Sequence, residues 1–185
     1  MYFFIFNIQT KLTFMPQVIE TQIEKNCTIH AINNALQQRL VTVKDGDDDL
    51  LKRFHNYNKK RLEKGLSGLN KKKFMHDFKG NGYSIDYFFE KLKQNGYFIS
   101  HVPIDHVSIE KLKIGSWVIL GSYPEFAHAL AIRDGFIIES LGSGILIQIS
   151  GKKVKWPSGF SPKSFFTFSR VPKILETSEN VIEID

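Results

Sequence analysis

The feature that most constrains the fold is a change of hydrophobic periodicity midway along the chain. Before it, Ile29, Ile32, Leu36 and Leu40 form one apolar stripe at helical spacing, which predicts a helix over residues 26–39. After it, short runs rich in β-branched and aromatic residues predict strands. These runs are 97–102, 116–121, 127–133, 136–141, 145–149 and 165–168. Helices followed by strands predict an α+β domain.

A second core helix is predicted after the basic, glycine-punctuated stretch 59–82, with Ser84 as its N-cap and Asn95-Gly96 as its stop signal. Its expected buried face consists of Ile85, Phe88, Phe89 and Leu92. Between the core helices, Lys44-Asp45-Gly46 predicts a turn, and the acidic residues 47–49 suit the first turn of a further helix. The ligand spacing and terminal Glu of an EF-hand are absent from the sequence, so we interpret the acidic cluster as helix capping.

The chain has 185 residues, 42% of them hydrophobic, which suits one domain with its own core. Its single cysteine cannot form an intramolecular disulfide, and a free thiol indicates a reducing compartment such as the cytoplasm or nucleus. We expect one monomeric domain over 15–175. We also expect an N-terminal extension at 1–14 and an acidic, flexible tail at 176–185.

The formal charge of +6 makes the chain basic. The densest run, 71–73, is short and has no RNA-binding aromatic motif beside it, so we interpret the charge as a solvated surface and expect no nucleic-acid partner. The apolar start, 1–8, is far shorter than the roughly 20 residues that span a bilayer, and we expect no membrane partner. No HExxH or CxxC motif occurs in the sequence, so we expect neither a metal nor another cofactor.

Cys27 falls in the first turn of the predicted helix 26–39, with Asn26 as its N-cap. A helix N-terminus favours an anion, and the thiolate is the nucleophilic form of cysteine. The backbone N–H of Cys27 and the side-chain amide of Gln22, five residues upstream, are candidates for an oxyanion hole. Without a partner histidine, a buried and inert thiol would be the simpler interpretation.

Among six histidines, His128 has the best-defined surroundings. It opens a strand that Asp134-Gly135 connects to the next strand as a two-residue hairpin. In this register Leu130 faces Glu139, which therefore lies diagonal to His128 on the same face of the sheet. We expect Glu139 to accept the proton of His128 Nδ1 and to stabilise the imidazolium, as the third member of a triad does. His30 is expected to be structural and to bond nearby backbone.

Residues 22–36 read QIEKNCTIHAINNAL and resemble the signature of the Josephin deubiquitinases. In that family a Gln stands five residues before the catalytic Cys, a His stands three after it, and a pair of Asn follows. The resemblance continues at 80–85 and again at 117–141, around the histidine strand. Two positions depart from the pattern: Glu139 stands where the family usually has Asn, and Ala129 where it has Trp.

The resemblance implies a papain-like fold with an N-terminal catalytic helix, a helical hairpin arm and an antiparallel sheet that carries the catalytic histidine. It also implies cofactor-free hydrolysis of the bond after the Gly-Gly tail of ubiquitin or a ubiquitin-like protein. Carried over, Cys27 is the nucleophile, His128 the base, Gln22 the oxyanion donor and Glu139 the orienting residue. Two alternatives stay open: a papain-like peptidase with another substrate, such as a viral or parasite polyprotein, and a catalytically silent binding module with the same fold.

Overall fold

The computed structural model of this protein describes residues 16, 19–21, 26–79, 82–142 and 144–170. The predicted N-terminal extension at 1–14 and the predicted acidic tail at 176–185 lie outside the described residues. In the part of the chain that the structure describes, no helix is both long and apolar enough to cross a membrane.

The first core helix, α1, spans Cys27–Leu36. It has the predicted amphipathic character, with Ile29 and Ile32 buried against the sheet. Asn26 occupies the N-cap position, but its side chain makes no capping hydrogen bond to the first turn. The helix ends three residues earlier than predicted because Gln37 adopts the left-handed conformation, with φ of 55°.

Two further helices, α2 (Val43–Glu63) and α3 (Lys71–Lys79), form a helical arm. The turn predicted at 44–46 is wrong: Thr42 and Asp45 form a capping box that starts α2 at Val43. The acidic residue that caps the helix is therefore Asp45, from the predicted turn, and not a member of the acidic cluster 47–49. Gly46 lies inside the helix, where a Cβ would come within 2.6 Å of the Tyr83 ring.

The second core helix begins as a 3₁₀ turn over Ile85–Phe88 and continues as α4, Phe89–Gln94. Three of the four residues predicted to be buried are buried, but the fourth, Phe89, is 41% exposed. The 3₁₀ turn explains the difference, because three residues per turn shift the angular position of every residue that follows it. A shorter helix, α5, spans Ile109–Leu112.

Six strands form one antiparallel sheet in the order β1-β6-β2-β3-β4-β5. Their bounds are Tyr97–Val102, Ser116–Ser122, Ala127–Arg133, Phe136–Glu139, Ile145–Gln148 and Ser161–Arg170, for β1 to β6. Alternate side chains of the central strands pack into two hydrophobic cores, one on each face of the sheet. Ala129 and Ala131 face α1, whereas Leu130 and Ile132 join the second core. The predicted α+β class is thus confirmed.

The hairpin between β3 and β4 has the predicted register. Arg133 pairs with Phe136, and Ile132 pairs with Ile137. Asp134 and Gly135 both have positive φ, of 48° and 86°, as a two-residue hairpin turn of the primed type requires. The side chain at 139 therefore emerges close to the one at 128, near the end of the sheet.

Candidate active site

Cys27 is the first residue of α1 and is partly exposed. The first N–H groups of a helix have no partner within it, so the thiol lies where an anionic sulfur is favoured. The next residue fixes the start of the helix, because Thr28 Oγ1 donates a buried 2.6 Å hydrogen bond to the carbonyl oxygen of Tyr83. The thiol is therefore held at a defined point on the surface of the core.

His128 is the second residue of β3 and is buried. Its Nε2 lies 2.7 Å from Glu139 Oε1, and the Cys27 side chain is near enough to raise the pKa of the ring. The expectation that Glu139 binds Nδ1 is wrong, since Nε2 makes that contact. With Nε2 bound to the carboxylate, Nδ1 is the ring nitrogen left for the thiol. The imidazole thus bridges the sulfur and the carboxylate.

The Glu139 carboxylate accepts hydrogen bonds at both of its oxygens. Oε1 accepts hydrogen bonds from His128 Nε2, at 2.7 Å, and from the backbone N–H of Leu141, at 3.0 Å. Oε2 receives the hydroxyl of Tyr123 at 2.6 Å. Burial alone would raise the pKa of Glu139, but the bonds from His128, Tyr123 and Leu141 outweigh it and lower that pKa. The buried carboxylate is therefore kept ionised beside the imidazole.

The charge on the imidazole is stabilised in turn. Burial alone would lower the pKa of His128, but hydrogen bonds to Cys27 and Glu139, together with their charges, raise it to about 9. At neutral pH the ring therefore carries a proton on each nitrogen. A protonated imidazole next to a thiol at a helix N-terminus can stabilise a thiolate, and it can later donate the Nδ1 proton to a departing group.

Tyr123 is the site residue that the sequence reasoning missed. It opens the short loop between β2 and β3, where its backbone N–H donates to the carbonyl of Phe126 at 2.9 Å. Its ring centroid lies 5.7 Å from that of His128. The strand pairing extends to Ser122 and Ala127, so the same register argument, applied to this second hairpin, would have brought Tyr123 near the histidine strand.

The predicted oxyanion donor, Gln22, lies outside the described residues, but its neighbour Glu20 is tied firmly to α1. Asn34 brackets the Glu20 backbone, with its Oδ1 2.7 Å from the N–H and its Nδ2 3.1 Å from the carbonyl. Asn33 Nδ2 donates to the Glu20 carboxylate at 2.9 Å. The Asn pair of the motif therefore serves to fasten the segment that enters the helix.

His30 is engaged on the same side of the helix. Its Nδ1 lies 3.1 Å from Glu20 Oε2. The prediction that His30 bonds backbone is therefore wrong, since a side-chain carboxylate is its partner. The four remaining histidines have other neighbours: the His55 ring contacts Phe54 edge-on, the His101 ring is tilted against Phe166, and His76 and His106 are exposed beside aspartates.

A groove of about 480 Å³ runs beside the buried carboxylate. Its walls are mainly apolar, and Tyr123 and Glu139 form part of them. The other lining residues are Pro124, Glu125, Phe126, Leu141, Ile145, Pro157 and Ser158. Because Glu139 is bound to the far nitrogen of the imidazole, the groove adjoins the side of His128 that faces away from the thiol.

Among the described residues, no group of three or more His, Cys, Asp or Glu side chains is placed to hold a metal ion. Compared with known proteins, the chain matches no family model and no curated protein. The chemistry of this site is therefore argued from its own residues: a thiol, a buried imidazole and a buried carboxylate connected in that order.

Proposed function

We propose that this protein is a cysteine peptidase of the isopeptidase type, acting after the Gly-Gly tail of ubiquitin or a ubiquitin-like protein. One observation carries the peptidase part: the buried His128 hydrogen-bonds the ionised Glu139, and its interaction with the Cys27 thiol and with Glu139 raises the pKa of the ring. A thiol nucleophile, a histidine base and a carboxylate that orients the base form the recurring arrangement of thiol hydrolases. The ubiquitin part rests on the resemblance of 22–36 and 117–141 to Josephin sequences.

In the acylation step, the Cys27 sulfur attacks the carbonyl carbon after the second glycine, and the C=O electron pair moves to oxygen. The Cys27 N–H at the start of α1 and the amide of Gln22 donate to that oxyanion, each lowering the barrier by about 3–4 kcal/mol. His128 then gives its Nδ1 proton to the leaving amine as the C–N bond breaks. The products are a thioester on Cys27 and a free amine, which for an isopeptide is a lysine side chain.

In the deacylation step, neutral His128 takes a proton from water through Nδ1, and the hydroxide equivalent attacks the thioester carbonyl. The C–S bond breaks, the ubiquitin C-terminus leaves as a carboxylic acid that releases its proton to solvent, and the sulfur returns as thiolate beside the imidazolium. Throughout the cycle Glu139 accepts from Nε2 and keeps the ring aimed at the sulfur.

Ubiquitin with a thiol-reactive electrophile in place of its C-terminal carboxylate tests this proposal. The chain contains one cysteine, so any covalent adduct must be at Cys27. We expect intact-mass spectrometry to detect one ubiquitin added per chain within minutes at pH 7.5. Cys27→Ser is the matched control, which should fold as the wild type does and form no adduct. Probes built on ubiquitin-like proteins, run in parallel, identify the preferred modifier.

Alkylation with iodoacetamide separates the remaining outcomes. Rapid modification of Cys27 without an adduct from any of the probes would leave a cysteine peptidase with a different substrate. Modification of folded protein no faster than that of a free thiol would identify a silent module and remove the peptidase proposal altogether.

A further inference from the structure

Glu139 differs from the amide found at this position in the family that the sequence resembles, and the difference creates a physical requirement. An amide presents one oxygen, which the histidine occupies. A carboxylate presents two oxygens, both of which need partners when the group is buried. The Glu139 side chain is only 3% exposed, so its second oxygen cannot rely on bulk water.

We propose that Tyr123 is a positioning residue that supplies this second partner and thereby holds the Glu139 carboxylate aimed at His128. The inference rests on the proposed function for its catalytic meaning. The contact itself is direct: Tyr123 Oη donates to Glu139 Oε2 at 2.6 Å, while Oε1 stays with His128. A carboxylate held at both oxygens cannot rotate about its terminal torsion without losing one of these bonds.

Tyr123 is itself held in place before any substrate arrives. The backbone N–H of Tyr123 donates a hydrogen bond to the carbonyl of Phe126, which closes the β2–β3 loop. The Tyr123 ring packs edge-on against Phe160, with 5.5 Å between centroids, and lies beside His128. The hydroxyl is therefore preset towards Glu139.

The phenol also stays neutral while it does this. Burial and then the contact with Glu139 raise the pKa of Tyr123 above its usual value, so the hydroxyl remains a donor throughout the working pH range. The other titratable groups around the Glu139 carboxylate are His128 in direct contact, Cys27 beyond the imidazole and Glu125 on the shared groove. Tyr123 is thus a hydrogen-bond donor that adds no competing negative charge.

Removal of the hydroxyl alone, in Tyr123→Phe, tests the inference. The Tyr123 bond lowers the pKa of Glu139, so the variant should ionise Glu139 only at higher pH. We expect the carboxyl ¹³C signal of Glu139, assigned with Glu139→Gln, to titrate with a midpoint raised by about one unit, which is tenfold in the ionisation equilibrium. Tyr57→Phe, at an exposed position of α2, is the matched control and should leave that midpoint unchanged.

The reactivity of Cys27 gives a second readout, which a purely structural role would not move. At pH 5, iodoacetamide should modify Tyr123→Phe up to about threefold more slowly than the wild type, whereas at pH 8, where Glu139 is ionised in both proteins, the two rates should agree. In a Glu139→Gln background, Tyr123→Phe should add no further effect, since its partner charge is gone. Equal effects in both backgrounds, or an unchanged Glu139 midpoint in folded Tyr123→Phe, would overturn the inference.

Failure of the peptidase proposal would look different. The Glu139 titration requires neither substrate nor thiol chemistry, so it reports on Tyr123 even if the wild-type thiol reacts slowly with every probe. A shifted midpoint together with an unreactive wild-type Cys27 would keep the positioning contact and remove the catalytic role. A reactive wild-type Cys27 together with an unshifted Glu139 midpoint in Tyr123→Phe would keep the peptidase proposal and remove the positioning role of Tyr123.

Discussion

Two histidine–glutamate pairs flank the start of helix α1, and they differ in almost everything except residue type. His128 Nε2 lies 2.7 Å from Glu139, with both side chains almost fully buried, at 1% and 3% exposure. His30 Nδ1 lies 3.1 Å from Glu20, with the side chains 14% and 16% exposed. Both histidines are close to Cys27 in space or in sequence, so pairing with a carboxylate alone does not distinguish a base from a structural residue.

The difference lies in what else each carboxylate binds. Glu20 is shared among His30, Asn33 and the exposed Arg39, and these contacts tie the entering segment to the helix. Glu139 is bound by donors that all keep it ionised next to one imidazole. A low local dielectric then makes each of its contacts electrostatically stronger than the same contact nearer the surface. The comparison therefore assigns anchoring to the Glu20 pair and polarisation of the thiol to the Glu139 pair.

Matched glutamine substitutions of the two histidines test this difference with the largest expected effect. In both His128→Gln and His30→Gln the new amide can still donate to its glutamate, but it cannot exchange a proton. We expect His128→Gln to lower kcat/KM for a fluorogenic amide of the ubiquitin C-terminus by about 10²- to 10⁴-fold, the range typical of a lost general acid–base. His30→Gln should stay within about threefold of the wild type.

Circular dichroism and the thermal midpoint check that both variants fold. Equal losses of activity in two folded variants would contradict the division of roles between the pairs. A large loss confined to His30→Gln would reverse it and make His30 the base.

The anchoring role predicts a loss of stability without a loss of chemistry. Asn33 is buried; its Oδ1 accepts the N–H groups of Leu40 and Val41, and its Nδ2 donates to Glu20 and to the Val41 carbonyl. Asn33→Ala leaves these buried groups without their partner, so we expect it to lower the free energy of unfolding by about 2–4 kcal/mol. Urea denaturation measures the loss.

Asn56→Ala, on the exposed surface of α2, is the control and should change the free energy of unfolding by less than about 0.5 kcal/mol. The rate of Cys27 alkylation in folded Asn33→Ala should match that of the wild type. A stable Asn33→Ala variant would show that the Glu20 side of the helix is not an anchor.

The fold was predictable where local signals were strong. The stripe of α1 and the Asp134-Gly135 turn depend on residues close together in sequence, so periodicity and turn chemistry were enough to find them. The start of α2 was mispredicted because a capping box outweighed the turn preference of Gly46. The exposure of Phe89 could not be predicted, since it depends on a 3₁₀ turn that the hydrophobic spacing of the sequence does not indicate.

At the site, the register of the β3–β4 hairpin predicted that Glu139 lies near His128, because the two residues are only eleven apart in sequence. The same register does not say which ring nitrogen meets the carboxylate, since that depends on the side-chain torsions of His128. The register of the β2–β3 hairpin can place Tyr123 beside the histidine strand, but its bond to Glu139 at the end of β4, like the contact of Glu20 with His30, crosses between elements. Contacts of that kind are set by tertiary packing, which no spacing in the sequence encodes.

The last expected effect is a pH dependence of stability that comes from the surroundings of His128 and not from the His30 pair. The pKa of His128 rises from 6.5 to about 9 on folding, so between these values the folded protein binds more protons than the unfolded chain. Stability from this group is complete below pH 6.5 and is lost as pH rises through 9, with a slope of at most about 1.4 kcal/mol per pH unit. Urea denaturation at pH 6, 7.5 and 9 should detect this decline in the wild type and in His30→Gln, and a flatter profile in His128→Gln. An equally steep decline in His128→Gln would mean that His128, held between Cys27 and Glu139, does not bind the extra proton.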